Sequence, residues 1–229
     1  MKEIITYIFH LRNQEESVFS VDIERPDRTE NANREMHPPW TRLEYHQCSN
    51  CPLVTVNCKY CPAAVDIEHI AEKFQKIRSI ERADIWVHTK ERAYFKNCNV
   101  QDGLTSLLGL VLASSACPVF SRLKPLTYFH LPFATLVETI HHLIGTYLIK
   151  QHMIHSGGTC SPDWELTGIK NLYKELEITN IHFMNRIRNV SVFDANLNAI
   201  QVFVAIAGLV EMDVNEILTE LVPLLDKGF

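Results

Sequence analysis

The chain has 229 residues, 46% hydrophobic and 21% charged, with a formal net charge of −5 and a pI near 6.1. This is ordinary globular composition, long enough for one large core or two small ones. It argues against a nucleic-acid partner, whose surface needs a basic footprint; the few basic clusters, such as Arg186 with Arg188, read as a solvated helix face.

The opening MKEIITYIFH carries Glu3 among alternating apolar residues and does not read as a secretory signal. IITYIFHL and SVFSVDIE alternate at a period of two across the turn NQEE, which predicts a hairpin. In the second strand Phe19, Val21 and Ile23 oppose Val18, Ser20 and Asp22; in the first, Ile4, Tyr7 or Ile8, and Phe9 compete for the buried side. Residues 25–39 are polar and proline-bounded, an expected exposed loop. PAAVDIEHIAEKFQKIR places Ile67, Ile70, Ala71, Phe74 and Ile77 on one helical face, with Pro62 at the favoured first position. ADIWVHT and RAYFKNC, separated by Lys90 and Glu91, predict a second hairpin.

From Gln101 the pattern turns helical. The uncharged run from Gly103 to Ser121 reads as a buried helix rather than a membrane span. A proline-broken passage follows, then a long apolar helix with Leu136, Ile140, Leu143, Ile144, Tyr147 and Leu148 at helical spacing. HSGGTCSPD is a loop; Pro162 and Asp163 start WELTGIKNLYKEL, and a separate helix is expected over 179–188. DANLNAIQVFVAIAGLVEM and DVNEILTELVPLLDKGF read as the last two helices. Trp40 and Trp164 are expected to be buried anchors. The fold class is therefore α+β: over 1–100, an N-terminal antiparallel sheet of two hairpins and one helix; over 101–229, a helical lobe, with the two halves free to share one core.

The stretch whose spacing implies chemistry is CSNCPLVTVNCKYC, within a loop spanning residues 46–62. Cys48, Cys51, Cys58 and Cys61 form C-x2-C, six residues, then C-x2-C. Such pairs supply four soft ligands to a tetrahedral zinc, or the four thiolates of an iron–sulfur cluster; disulfides or a free redox dithiol are the other readings. Four thiolates leave no open position for water, which points to a structural metal. Two details depart from a zinc ribbon: the spacer is shorter than the usual one of roughly 15–20 residues, and Pro52 and Pro62 stand where a zinc knuckle often has glycine. Cys61 would cap the helix that Pro62 begins, whose positive end favours a thiolate. His46 and His69 are nearby replacement ligands, more simply read as surface histidines.

Outside the loop, Glu138 and His141 make one E-x-x-H pair, without the second pair a dimetal site requires. Cys117 with His130, near Arg122 and Lys124, contains the ingredients of an activated thiolate, although a buried, inert cysteine is the plainer reading. A pocket near His130, Phe133 and Tyr147 would suit a ligand sensor. The segments PPWTRLEYHQCSNCPL, TKERAYFK, SLLGLVLASSACPV, YFHLPFATLVETI, SPDWEL and DANLNAI together resemble a family of uncharacterised bacterial proteins of about this length that carry a C-x2-C-x6-C-x2-C cluster. The resemblance implies a bacterial cytoplasmic origin and no nameable activity. The expectation is a cytoplasmic binding or regulatory protein with structural zinc, acting on an unknown protein or small-molecule ligand, with no nucleic acid and no membrane span. The alternative is a redox or thiol enzyme using an iron–sulfur cluster at the four cysteines or a Cys117/His130 site. Oligomeric state is not readable from the sequence.

Overall fold

Alternation of buried and exposed side chains carries β1 (Ile4–Leu11) and β2 (Ser17–Asp22) into an antiparallel hairpin. The computed structural model describes residues 3–12, 16–25, 36–155 and 161–227. Most of the expected turn NQEE, most of the polar loop over 25–39, and Cys160 with its neighbours therefore lie outside the described residues. On its other side β1 pairs antiparallel with β3 (Arg82–His88), which pairs with β4 (Ala93–Asn99), giving the order β2-β1-β3-β4. Ile5, Tyr7, Phe9 and Leu11 share the buried face with Phe19, Val21, Ala83, Ile85 and Val87. The competition within β1 is thereby settled against Ile4, which is 46% exposed.

Helix α1 (Pro62–Phe74) covers this face, with the Phe74 ring 5.0 Å from Phe9 and 5.8 Å from Phe19. All five residues of its expected apolar face, through Ile77, are buried. Helix α2 (Val100–Ala113) lies against the same face, and a Cβ at Gly103 would collide with Ile85 Cδ1, so the close approach there needs glycine. A 3-10 segment (Phe120–Thr127) leads to α3 (Leu136–His155), α4 (Thr167–Arg188) and α5 (Ala195–Leu225). One buried cluster runs from Ile5 in β1 to Val214 in α5.

Two expected helix breaks are absent. The helix over 179–188 is the second half of the 22-residue α4, and the last two helices are one α5 of 31 residues. Neither junction, at Glu177–Thr179 or at Met212–Asp213, holds a glycine or proline to stop propagation. Pro162 and Asp163 precede α4 instead of opening it; Asp163 caps it by accepting from the Thr167 and Gly168 N–H groups at 3.1 and 2.8 Å. One stretch of α5, Ala195–Met212, is long and apolar enough by length and composition to cross a membrane; within this fold its Ala199, Ile200, Ala207 and Val210 belong to the core. Trp40 is buried as expected, but Trp164 is 67% exposed.

Candidate functional site

The cysteine loop is built as a turn followed by a helix cap. Cys51 N–H donates to the Cys48 carbonyl at 3.0 Å, closing the first C-x2-C. Cys61 is the N-cap of α1 without a hydrogen bond to its sulfur, and the nearby backbone N–H groups of Ala64 and Ala63 favour its anionic form. Cys61 N–H donates to the Thr41 carbonyl at 2.8 Å, tying the loop to the short 3-10 turn Pro39–Thr41. The sulfur of Cys58 takes a different direction: its S–H donates to the Tyr60 carbonyl at 3.0 Å.

The loop docks on one face of α4. Asn50 donates from Nδ2 to the Glu175 carbonyl at 2.9 Å and accepts from Thr179 Oγ1 at 3.2 Å. Cys48 Sγ is 3.9 Å from the Thr179 carbonyl. The segment after Cys117 docks on the same face: Arg122 Nη1 reaches Glu175 Oε2 at 2.7 Å, and the Phe120 ring meets Phe183 edge-on at 5.7 Å. Glu175, Thr179, Phe183 and Arg186 recur at helical spacing, so one stripe of α4 receives both cysteine segments.

At the foot of that stripe Arg186 is 1% exposed. This overturns its reading as part of a solvated face; Arg188 alone is exposed. The Arg186 guanidinium donates to the carbonyls of Trp40, Arg42 and Leu43 at 2.6, 2.7 and 3.3 Å. Among the described residues no carboxylate forms an ion pair with it. The charges it faces are those of thiols, since it favours the anionic forms of Cys48 and Cys61. Desolvation works the other way: burial pushes the Cys48 and Cys117 thiols up to about 12, helped by the proximity of Cys61 and Cys51 to both. A thiol raised this far is the opposite of an activated nucleophile. Among the described residues, no three His, Cys, Asp or Glu side chains are drawn together as a finished ligand set.

His130 is not joined to Cys117. Its Nε2 bonds the Tyr7 hydroxyl at 2.5 Å, and Tyr7 in turn meets Ser106 Oγ at 2.7 Å. Ser106 Oγ accepts from the Phe133 N–H at 3.1 Å, at a residue held in the left-handed region with φ 60°. The bonds run in series from the Phe133 N–H through Ser106 and Tyr7 to His130 Nε2, and the His130 tautomer sets which atom donates in the last two. Burial lowers the His130 pKa to about 4 and so keeps the ring neutral. Tyr7 is pushed up by burial in the same way.

This polar chain sits beside a cleft of about 470 Å³ between α2, the 3-10 segment, the start of α3, α4 and α5. Its walls are mainly apolar, including Leu110, Phe120, Leu176 and Phe203, with Ser106, His130 and His142 among the polar groups. The Nε2 of His142 is buried without a hydrogen-bond partner. A larger groove of about 680 Å³, between α3 and the end of α5, is almost wholly apolar. Of the expected sensor residues the cleft includes His130; Phe133 contributes its N–H to Ser106, and the Tyr147 hydroxyl donates to Asp163 at 2.7 Å.

Family comparison adds organisation without chemistry. The chain belongs to a family described as a domain of unknown function (DUF6901), matched over residues 5–225. No curated protein and no solved structure matches it.

The remaining sequence candidates have local roles. Glu138 accepts from the Thr135 N–H and Oγ1 at 2.8 and 2.9 Å, while its own N–H donates to Thr135 Oγ1 at 3.3 Å. That is a capping box at the start of α3, with His141 exposed beside it. His46 bonds Asn189 at 3.2 Å, and His69 lies against the Phe19 ring. Sequence reasoning missed Tyr7, Ser106, His142 and Arg186. A signal for the thiol arrangement was present in the repeated Cys-Pro-x-x of residues 51–54, 61–64 and 117–120.

Proposed function

We propose that the protein is a binding or regulatory protein of the cytoplasm, with zinc on the thiols of the cysteine loop as its structural element and a small, mainly apolar molecule as its ligand. The observation that carries this reading is the 470 Å³ cleft, whose size and lining suit a ligand site. Ser106, His130 and His142 would meet the polar end of the ligand. His130 stays neutral at pH 7, so the matching head group is a neutral hydrogen-bonding one, such as a hydroxyl or amide. The unpartnered His142 Nε2 gives such a group a bond to complete.

Nile red, a neutral apolar dye, tests the site. Its fluorescence should rise saturably with the wild-type protein and fall on addition of a long-chain alcohol. Gly109 lines the cleft, and a Cβ there meets only the Phe203 ring, at 3.6 Å. Gly109→Leu should therefore fill the space and abolish the signal without changing the circular dichroism. Equal dye binding by the variant would sink the proposal.

A further inference from the structure

The cysteine spacing offers one set of four ligands, and the docking of two cysteine segments on α4 points to another. We propose that Cys48, Cys51, Cys61 and Cys117 form a tetrathiolate site for zinc, with Cys58 outside it. The inference rests on the reading above that the loop carries a metal, and it changes what the metal does. A site confined to residues 48–61 would brace a loop. A site that includes Cys117 joins the first half of the chain to the segment that follows α2.

Three independent features support this set. The first is placement. The Cys48–Cys51 turn and the Cys117 segment converge on Glu175 of α4, one through the backbone carbonyl at 2.9 Å and the other through the carboxylate at 2.7 Å. Cys48 senses the thiols of Cys61, Cys117 and Cys51, and Cys117 senses those of Cys61 and Cys51.

The second is the backbone donors beside each sulfur. In Cys61-Pro62-Ala63-Ala64 and in Cys117-Pro118-Val119-Phe120, the two backbone N–H groups after the proline favour the thiolate over the thiol. Donors of this kind stabilise the thiolate. Cys58 instead holds its sulfur 3.0 Å from the Tyr60 carbonyl, an S–H contact much shorter than the 3.9 Å of Cys48 to the Thr179 carbonyl and the harder of the two to exchange for a metal bond.

The third is charge. Arg186 is a fully buried cation held by three neutral carbonyls and the face of the Tyr45 ring, with no carboxylate in an ion pair with it among the described residues. An uncompensated buried charge is strongly unfavourable. Binding converts four thiols and one divalent cation into a dianionic centre, releasing four protons to solvent. The guanidinium beside Cys48 and Cys61 then faces an anion of the right sign. The long interval between Cys61 and Cys117 also removes the difficulty of a spacer too short for a ribbon.

The test uses the full chain, purified without air. Metal content is measured first; then thiols are alkylated with and without a zinc chelator, and the protected positions are mapped by mass spectrometry. The expected result is one zinc per chain, with chelator-dependent protection of Cys48, Cys51, Cys61 and Cys117 and no chelator dependence at Cys58. In parallel, Cys58→Ser should keep its zinc. Cys117→Ser should weaken zinc binding by more than the roughly 10–100-fold that loss of an outer-shell partner costs. Zinc with protection of Cys58 in place of Cys117 would overturn the inference while leaving the loop's metal intact. No bound zinc and no chelator-dependent protection would overturn both. Iron with a broad visible absorption would replace zinc by an iron–sulfur cluster. The mapping needs no variant, so it decides the matter even if Cys117→Ser does not fold.

Discussion

The thiol group and the His130 cleft both hold ionisable side chains away from water, and in both burial drives those side chains towards their neutral forms. The sign of the shift differs: the thiols are raised and the histidine lowered. The surroundings differ as well. Beside the thiols stands a buried cation with no carboxylate paired to it among the described residues; beside His130 runs a chain of neutral hydrogen bonds through Tyr7 and Ser106. One site is short of negative charge and suits a centre that turns thiols into thiolates. The other is electrically complete and suits a neutral ligand. Desolvation alone therefore does not tell what a buried site receives; the charges left unbalanced around it do.

The sharpest way to break this contrast is at Arg186. Arg186→Met leaves three buried carbonyls without their donor, at about 1–3 kcal/mol for each acceptor left unsatisfied, and we expect that loss in urea unfolding together with weaker retention of zinc. A loss below about 1 kcal/mol, in the range of an exposed ion pair, would mean that the cation is not an integral part of the thiol site.

The next test concerns the histidine. The His130 pKa falls from its ordinary 6.5 to about 4 in the folded chain. As pH drops through 6.5 the unfolded chain gains a proton that the folded chain refuses until about 4. Stability is thus intact above pH 6.5 and lost between these values, by up to about 3 kcal/mol. The urea midpoint of the wild type should fall from pH 7 to pH 5, and in His130→Asn the fall should shrink. An undiminished fall in the variant would assign the effect to other groups.

The smallest effect belongs to the scaffold of the cleft. Thr135→Ala removes the hydroxyl of the capping box at the start of α3 and should cost about 1 kcal/mol in thermal unfolding. Nile red affinity should be little changed, because Thr135 supports the cleft wall without lining it.

The sheet was legible because period-two alternation survives where one face is buried; Phe19, Val21 and Ile23 declare their side in the sequence and keep it in the fold. Helix lengths were less legible. Separate helices were expected from residue 179 and from Asp213, yet neither junction contains a glycine or proline able to stop a helix. Arg186 was hidden for a different reason: arginine is so rarely buried that the solvated reading wins unless its partners are known, and those carbonyls lie far away in sequence. Cys117 was likewise set apart from the loop by chain distance. Its pairing with Pro118 was visible, but the matching pattern at Cys61-Pro62 gains meaning only once α4 brings the two segments to one face.

The position of β1 within the sheet has a kinetic consequence. Tyr7 pairs with the nearby Phe19 on one side and with the distant Val87 on the other. Strand β1 can therefore close its hairpin with β2 early, but its second edge stays unpaired until residues 82–88 have emerged. Pairings between distant segments form slowly, and an open, apolar strand edge invites pairing with another chain. Helices α4 and α5 are sequence neighbours and face no such delay. Strand β1 thus waits through about 60 residues of chain between its two pairings, and its open edge is where an arrested chain would capture a second copy of itself.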